Sequence, residues 1–584
     1  MERRVLLAIF LAFIVLYTWQ ALFVKPVPKA APKAPGAASS AASGGGATPT
    51  PAPSTPSNAS SAVAATAPPA ATTSAAAPVV SDTAERDVRV ETRDVVAVFT
   101  NRGARLKSWR LKHFLDSNKQ PQELVEQNLP TQPLPFTLRT PNDALTATLN
   151  GALYTVSGEP STPATSAPVD LRFEYRDSAG LHAVKEFQLQ PSSYLVGFRA
   201  TVTEGDRQLK PAVLWGPAIG DVGEVSRYVA KAGGLLDQNG KVVRLAPADI
   251  AKQPEHDGDF KYAGVEDNYF MTVALGGGPI KVIFQPVSIP PAEGSKEPPR
   301  ELVSYAIEPA EPDAPIRFFV GPKDFDVLSA IDPELALAIN FGMFKVIVVP
   351  LLRSLKWVNG FAGNWGWSII LLTIIINVIM LPLKHKGVVS MRKMQEIQPE
   401  VKAIQDRYSK LKATDPAKQK MNQELMALYK ERGVNPASGC VPMLLPMPVL
   451  LAMWALLSTA IELRGAPFFG WIHDLSAHDP FYVTPILMGA SQMWQQKLTP
   501  SAGADPAQQK MLMFMPVMFT FMFLWAPAGL AIYYGTTNLL NIAQQYFTNY
   551  WLGPTRTRQH RPPAERRVKR VGGGKTDEAA AREP

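Results

Sequence analysis

Residues 365–383 read WGWSIILLTIIINVIMLPL, an apolar run of about the length that crosses a lipid bilayer as a helix. Thr373 and Asn377 lie in the middle of this run. A polar side chain at bilayer depth is costly unless it faces protein or water, so such residues mark candidate functional sites. The apolar runs at 481–496 and 530–547 carry several hydroxyl and amide side chains as well. Together these residues predict a polar concavity inside a membrane.

The charge of the loops orients the predicted membrane spans. Residues 384–437 hold twelve Lys or Arg against six Asp or Glu, whereas residues 462–479 hold a single Arg and no Lys. Because cytoplasmic loops carry the excess of basic residues, the first loop is predicted to be cytoplasmic and the second extracytoplasmic. Residues 361–550 are therefore predicted to form a five-helix core. Its spans are predicted at 365–383, 443–461, 481–496, 511–525 and 530–547.

A sixth span is predicted at the start of the chain. Residues 5–24 form an apolar run that is longer than the core of a signal peptide and lacks a small-residue cleavage site. Residues 1–24 are thus predicted to be a retained anchor, with a cleaved signal peptide as the alternative. Arg3 and Arg4 place its start in the cytoplasm. With a basic tail at 551–584, we expect a multi-pass α-helical membrane protein of six transmembrane helices with both termini in the cytoplasm.

The composition changes twice between the anchor and the core. Residues 25–80 are almost entirely Ala, Pro, Ser, Thr and Gly, which bury too little apolar surface to fold, so a disordered linker is predicted. Residues 81–330 show short runs of alternating polar and apolar residues between Gly and Pro, which is typical of strands. A large extracytoplasmic all-β sandwich is predicted here. Its histidines, His113, His182 and His256, show no metal-ligand spacing.

Two amphipathic segments flank the first span of the core. Residues 331–360 mix apolar and basic side chains, which favours a helix lying in the membrane interface; a linker helix packed on the β-domain is the alternative. Residues 384–437 repeat apolar side chains at steps of three and four and break at Thr414-Asp415-Pro416. This pattern predicts a cytoplasmic hairpin of two helices whose apolar faces meet.

Composition narrows the classes of function. A chain of 584 residues with 46% hydrophobic and 19% charged residues fits a protein that is part membrane and part water-soluble. The single cysteine, Cys440, excludes an internal disulfide. The sequence GGGKT at 572–576 lacks the first glycine that a phosphate-binding loop requires, so nucleotide hydrolysis is not predicted. Neither a metal nor another cofactor is expected.

Six short motifs stand out in the core. They are residues 364–370 (NWGWSII), 434–440 (VNPASGC), 447–448 (MP), 471–476 (WIHDLS), 485–489 (PILMG) and 514–516 (FMP). In order and spacing they resemble the motifs of the YidC family of membrane protein insertases. The anchor, linker and β-domain resemble the Gram-negative form of that family. The resemblance implies an insertase and chaperone of the cell inner membrane with a large periplasmic domain. It implies no catalytic residues, since such a protein is not an enzyme.

The resemblance also implies a hydrophilic groove that is open to the cytoplasm and to lipid, and a slide along which a client's apolar segment leaves. By position, the groove would be lined by Thr373, Asn377, Gln492, Tyr533, Tyr534, Asn538 and Asn541. The slide would include Leu444, Met447, Pro448, Met488 and Met522. Hydrogen bonding between helices is the alternative role for the polar residues of the last span.

One groove position departs from the family pattern. Most members carry a positive residue four positions after the threonine of this span, where this chain has Asn377. A neutral amide can hydrogen-bond a client but cannot attract an acidic segment. Three basic side chains at the cytoplasmic mouth, Lys384, His385 and Lys386, are candidates to replace that charge.

The implied partners are nascent membrane proteins and membrane lipid. The Sec translocon and, through the basic tail, the ribosome are further candidates, and a monomer is expected. Two other classes stay open. A secondary transporter would also need polar residues at mid-span, although no repeat relates the two halves of the membrane region. An envelope protein with a carbohydrate-binding β-domain is the other alternative, and it rests on layout alone.

Overall fold

The computed structural model gives a strand-rich part up to Pro322 and a helical part after it. The predicted anchor, most of the predicted linker, Cys440 and nearly all of the basic tail lie outside the described residues. The described residues are 77–116, 118–126, 133–160, 163, 167–216, 232–238, 240–276, 279–289, 299–408, 417–434, 446–498 and 506–552.

The β-domain contains twenty described strands. In chain order they are β1 (Pro78–Val80), β2 (Asp87–Glu91), β3 (Val95–Thr100), β4 (Arg105–Leu115), β5 (Pro121–Glu123), β6 (Thr137–Arg139), β7 (Thr155–Ser157), β8 (Val169–Asp177), β9 (Leu181–Leu189), β10 (Leu195–Glu204), β11 (Arg207–Leu209), β12 (Ala212–Trp215), β13 (Gly233–Gln238), β14 (Lys241–Leu245), β15 (Glu255–Asp259), β16 (Tyr262–Glu266), β17 (Phe270–Leu275), β18 (Pro279–Ile289), β19 (Arg300–Glu308) and β20 (Ile316–Pro322).

These strands form three antiparallel sheets. The largest has eleven strands in the order β1-β8-β9-β10-β20-β17-β16-β13-β14, with β7 on β8 and β11 on β10. The second has the order β15-β18-β19-β12-β6, and the third β2-β3-β4-β5. Strand β8 shows why the chain pairs this way, because its buried and exposed residues alternate along almost its whole length. The expected β-sandwich is confirmed, with two short helices added, α1 (Asp143–Gly151) and α2 (Pro247–Ile250).

Aromatic rings fill the space between the sheets. The ring of Phe136 lies 4.9 Å from that of Phe198, 5.0 Å from that of Phe187 and 5.2 Å from that of Phe318, centroid to centroid. Each such pair contributes about 0.5–1.5 kcal/mol beyond the burial of its surface. Among the described residues no group of three or more His, Cys, Asp or Glu side chains is placed to hold a metal ion.

The rest of the described chain is mostly helical, with three short 3-10 turns (Leu335–Ala338, Gly342–Phe344 and Ile461–Leu463). The helices are α3 (Phe325–Ile331), α4 (Lys345–Ala362), α5 (Trp365–Glu396), α6 (Gln398–Arg407), α7 (Ala417–Glu431), α8 (Met447–Thr459), α9 (Val483–Leu498), α10 (Pro506–Phe523) and α11 (Ala528–Leu552). Of the described helices, α5 alone is both long and apolar enough to cross a membrane by itself. It continues well beyond residue 383, where the sequence predicted the span to end.

The start of α5 explains one of the sequence motifs. The Asn364 side chain accepts hydrogen bonds from the backbone N–H groups of Gly366 (2.9 Å) and Trp367 (3.2 Å), and so caps the helix. Its amide donates to the carbonyl of Pro467 (3.0 Å), which ties the helix to the loop after α8. A Cβ atom on Gly366 would lie 2.0 Å from the ring of Phe468, so this position needs glycine.

The segment after the first core span folds back on itself as the sequence pattern predicts. Met394, Ile397 and Val401 form a small hydrophobic cluster with Val434. Leu425, Leu428 and Tyr429 of α7 pack against this cluster. On the outside of this cluster Arg432 binds both carboxylate oxygens of Glu400 at 2.9 and 3.0 Å.

The helical part exposes an unusually large amount of apolar surface. Large hydrophobic side chains are exposed on α5 up to Leu383, on α9, on α10 from Phe514 and on α11 from Leu539, while a lysine is buried between α5 and α11. A surface of this kind on a monomer marks contact with lipid or with other proteins. The most exposed of these side chains are Val378, Ile379, Leu487, Phe514, Met518, Phe521, Phe547, Tyr550 and Trp551.

Candidate functional site

A buried lysine joins α5 to α11. The Lys384 ammonium donates to the side-chain oxygens of Asn377, at 2.6 Å, and Asn541, at 2.9 Å. Lys384 is only 9% exposed. The amide of Asn377 donates in turn to the backbone carbonyl of Thr373 at 2.8 Å. We call Thr373, Asn377, Lys384 and Asn541 the α5–α11 polar cluster; it includes three of the seven residues predicted to line a groove.

The acceptors in this cluster are neutral. Among the described residues no carboxylate lies within ion-pair distance of Lys384, and the side chains that it contacts are amides. An ammonium group has three donors, and two are used here. Removing a charge from water without a counter-charge is expensive, so an arrangement of this kind is retained for a function more often than for stability. The cluster can therefore accept a carboxylate, a polar backbone or water.

A second cation repeats the arrangement two helical turns further on. Arg392 of α5, which is 8% exposed, donates to the side chain of Asn549 of α11. Gln545 donates to the same oxygen at 3.3 Å. Because the pairs Lys384–Asn541 and Arg392–Asn549 advance by eight residues on both helices, α5 and α11 run parallel. Sequence reasoning missed Arg392 and Asn549, although amides at steps of four along α11 were a readable signal.

The structure separates the three residues proposed for the cytoplasmic mouth. Lys384 faces into the protein, whereas His385 and Lys386 are exposed. The Lys384 side chain reaches back along its own helix to a residue seven positions earlier. The positive charge thus lies beside Asn377.

The other predicted groove residues lie elsewhere on α9 and α11. The Asn538 amide donates to Ser491 Oγ at 3.1 Å and to the carbonyl of Met488 at 3.3 Å, so it joins α11 to α9. Tyr533 is buried, and the ring of its neighbour Tyr534 packs against another helix. Gln492 is half-exposed on α9. Asn538 therefore has the interhelical role that the sequence left open as the alternative.

The predicted slide residues are scattered over three helices. Met447 and Pro448 are exposed in the first turn of α8, and Met522 is half-buried on α10. Met488 differs from the expectation, because it is only 2% exposed and faces Gly535 of α11. A glycine there lets α9 and α11 approach closely and covers the methionine. Leu444 lies outside the described residues.

Polar contacts bind the β-domain to the helical part. The Arg464 guanidinium, between α8 and α9, donates to the Leu115 carbonyl at 2.8 Å and to the Gln122 side chain at 2.7 Å. It also lies 5.1 Å from the centre of the Phe270 ring. The amide of Asn268 donates to the carbonyl of Ser458 at 3.1 Å. These contacts join β4, β5 and the β16–β17 turn to the C-terminal end of α8 and the loop after it.

Lys356 of α4 makes a second junction. Its ammonium lies 2.6 Å from Asp326, 2.7 Å from Glu462 and 3.5 Å from Asp324. Burial alone would lower the pKa of Lys356, but the three carboxylates more than offset burial and raise that pKa above its usual value. Lys356 is thus charged at neutral pH and fixes α4 to both the β-domain and the loop after α8.

Removing the Arg464 side chain should loosen this junction. We expect Arg464→Ala to weaken docking of the β-domain by about 2 kcal/mol. The variant loses charge-assisted hydrogen bonds, and water replaces part of their energy. Hydrogen exchange of backbone amides around residues 111–123 should accelerate. Arg317→Ala, which removes an exposed arginine of β20, is the matched control. Equal exchange rates in the two variants would contradict this role.

An apolar outer surface around buried polar side chains defines a helical membrane protein, here carrying a β-sandwich domain. Residues 357–554 match the family described as the 60Kd inner membrane protein, and residues 87–354 match the YidC periplasmic domain. This chain belongs to the YidC family of membrane protein insertases, and it is an inner membrane protein with a periplasmic domain.

Curated relatives named "Membrane protein insertase YidC" match nearly the whole chain. The Geotalea daltonii protein is 32% identical over 94% of this chain and 99% of its own length. The Geobacter sulfurreducens protein is 35% identical over 94% and 98%, respectively. A solved structure titled "Active YidC insertase crystal structure with the first transmembrane domain resolved" covers 81% of this chain and 95% of its own, at 19% identity and a TM-score of 0.33. A superposition this loose supports no conclusion.

Proposed function

We propose that this protein inserts newly made membrane proteins through a groove whose polar wall is the α5–α11 polar cluster. The observation that carries the proposal is Lys384, a nearly buried cation held by two neutral amides. Its charge is available to a client's acidic residue, and its amide partners are available to a client's backbone. The large apolar outer surface supports the complementary part of the proposal, in which the client's apolar segment leaves directly into lipid.

Insertion by this route needs no nucleotide hydrolysis. Each Leu or Ile that enters the bilayer gains roughly 0.3–0.6 kcal/mol, and each charged residue at its centre costs roughly 2.5–3.5 kcal/mol. A client span of about 20 residues therefore has several kcal/mol of driving force. The protein needs only to lower the barrier for the few polar residues that must cross, which a polar wall inside the membrane does.

The proposed topology has six spans with both termini in the cytoplasm. The parallel course of α5 and α11 supports it, because both helices then cross from the periplasmic to the cytoplasmic side. The hairpin of α6 and α7 lies in the cytoplasm in this arrangement, and the Arg464 and Lys356 junctions lie on the periplasmic side. The Sec translocon and the ribosome remain proposed partners, the latter through the basic residues of the hairpin and tail.

Two asparagines on α11 should distinguish a role in insertion from a role in holding the helices together. Asn538→Ala removes hydrogen bonds to α9, and such bonds in membranes are worth about 0.6 kcal/mol on average, so we expect a slightly lower melting temperature and nearly normal insertion. Asn541→Ala removes one anchor of Lys384 and should slow insertion of an acidic client several-fold with little change in melting temperature. If both variants lower stability and insertion in proportion, Asn541 is structural as well.

Complementation tests the function itself. Cells depleted of their own insertase would receive this protein, and insertion of a small two-span client would be followed by protease accessibility. We expect insertion to fail on depletion and to return with the wild-type chain. A client whose insertion is the same with and without the protein would contradict the proposal, and the transporter alternative would then be tested by solute uptake.

A further inference from the structure

A cavity lies between α4 and the helical segment that follows the β-domain, and it shares no residue with the α5–α11 polar cluster. Its volume is about 560 Å³, within the range of small-ligand sites. One wall consists of α3 and the 3-10 turn at Leu335–Ala338, with Phe325 and Ala336. The other wall is the first half of α4, with Val349 and Pro350. The walls are therefore mostly apolar.

Two basic side chains give the cavity its charge. Lys345 and Arg353 of α4 both line it, and among its described lining residues there is no carboxylate. They lie eight residues apart, with Val349 between them, so all three share one face of the helix. The Arg353 guanidinium lies 5.8 Å from the centre of the Phe325 ring. A guanidinium stacked on a ring still presents its N–H donors at its edge, where a phosphate binds.

The same helix face continues into exposed aromatic residues. Trp357 and Phe361 follow Arg353 at steps of four, are 64% and 73% exposed, and pack edge to face with ring centres 4.8 Å apart. Val346, which lines the cavity, is 84% exposed. Tryptophan and other aromatic residues concentrate at the level of lipid headgroups. Helices that lie in the membrane interface combine basic side chains with exposed aromatic and aliphatic ones, as this helix does.

We propose that this cavity binds one anionic phospholipid of the membrane. The phosphate lies between Lys345 and Arg353, and an acyl chain lies against Phe325, Val349 and Pro350. Clustered Lys and Arg side chains at a membrane surface attract anionic headgroups through charge complementarity. The bound lipid fastens α4, and with it the β-domain that Lys356 holds, to the membrane surface. The proposal does not depend on the groove mechanism, because it involves neither α5 nor α11.

Native mass spectrometry of the full-length protein in an uncharged detergent tests the proposal. Phosphatidylglycerol would be titrated into wild type and into a Lys345→Gln/Arg353→Gln variant. We expect the variant to bind the first phosphatidylglycerol about ten-fold more weakly, and wild type to bind phosphatidylcholine about as weakly as the variant binds phosphatidylglycerol. The matched control is Lys210→Gln/Lys241→Gln, which removes two exposed lysines of the β-domain and should bind like wild type.

A second variant distinguishes the cavity from a merely basic surface. Ser329→Phe places a ring in the cavity and leaves both cations, so it should weaken phosphatidylglycerol binding as well. Three results would overturn the proposal: unchanged lipid binding in the double variant, equal binding of phosphatidylcholine by wild type, or full displacement of the lipid by inorganic phosphate. Binding that Ser329→Phe leaves intact would also overturn it, because the lipid would then lie outside the cavity.

Discussion

Replacing Lys384 with methionine is expected to slow insertion of a client with an acidic translocated segment by about ten-fold or more. Two opposite charges about 4 Å apart interact by about 4 kcal/mol at the effective dielectric constant of a partly buried site. Losing a third of that energy from the barrier-crossing state already corresponds to about a ten-fold change in rate. Methionine keeps most of the length of lysine and an apolar stem, so the packing of α5 on α11 should survive. The measurement is the initial rate at which the client becomes protease-protected.

The controls for Lys384→Met follow from the geometry. His385→Gln and Lys386→Gln alter neighbouring side chains that are exposed, and they should leave insertion nearly unchanged. A client without acidic residues in its translocated segment should be affected far less than the acidic one. Asn377→Arg in the Lys384→Met background returns a cation to the cluster and should restore most of the rate. Wild-type rates in Lys384→Met would show that the buried charge has no part in insertion.

The second large effect concerns the β-domain. Glu266 is buried and binds two cations, Lys323 at 2.8 Å and Arg244 at 2.8 Å. Lys323 also donates to the carbonyl of Asp267 at 2.8 Å, next to the Asn268 that contacts α8. Glu266→Ala leaves both cations without their counter-charge, and breaking a buried pair in this way costs about 3–5 kcal/mol.

That loss should be visible in the full-length protein. Hydrogen exchange of the backbone amides of β16 and β20 should accelerate by on the order of 10²–10³-fold, since each 1.4 kcal/mol is a factor of ten. Glu174→Ala is the matched control, because Glu174 pairs with Arg172 and His182 on the exposed face of β8, and surface pairs are worth about 0–1 kcal/mol. If the two variants exchange alike, the Glu266 network contributes no more to stability than a surface pair.

The sequence predicted the positions of the polar residues in the helical part, but not which neighbouring helix each of them contacts. Thr373 and Asn377 were recognisable because they interrupt an apolar run. Asn538 and Asn541 are three residues apart on α11, and the helix period places them about 60° apart. One therefore meets α9 and the other α5, and no pattern in α11 alone says which.

Lys384 shows a second limit of sequence reasoning. A lysine at the end of an apolar run is expected to extend towards the headgroups and water. Here it bends back towards Asn377 because Asn541, on a helix that lies 157 positions further along the chain, offers a second acceptor. Contacts of that sequence separation follow from packing rather than from local pattern.

In the β-domain, too, the sequence predicted the local elements but not the contacts between them. Alternation of polar and apolar residues predicted its strands, as β8 shows. The contacts that hold its sheets together join residues far apart in the sequence. For example, the Trp109 indole N–H donates to the carbonyl of Val320 at 3.0 Å. Strand periodicity carries no information about such a contact, and the same is true of the Glu266 network.

The most direct test of the central claim is insertion by the purified protein in vesicles without nucleotide. A small two-span client with an acidic segment would be added to empty vesicles and to vesicles containing wild type or Lys384→Met, and the protease-protected fraction would be measured over time. We predict rapid protection with wild type, protection about ten-fold slower with Lys384→Met, and protection slower still in empty vesicles. Equal rates in wild-type and empty vesicles would contradict the account, because the protein would then do nothing that the bilayer does not do alone.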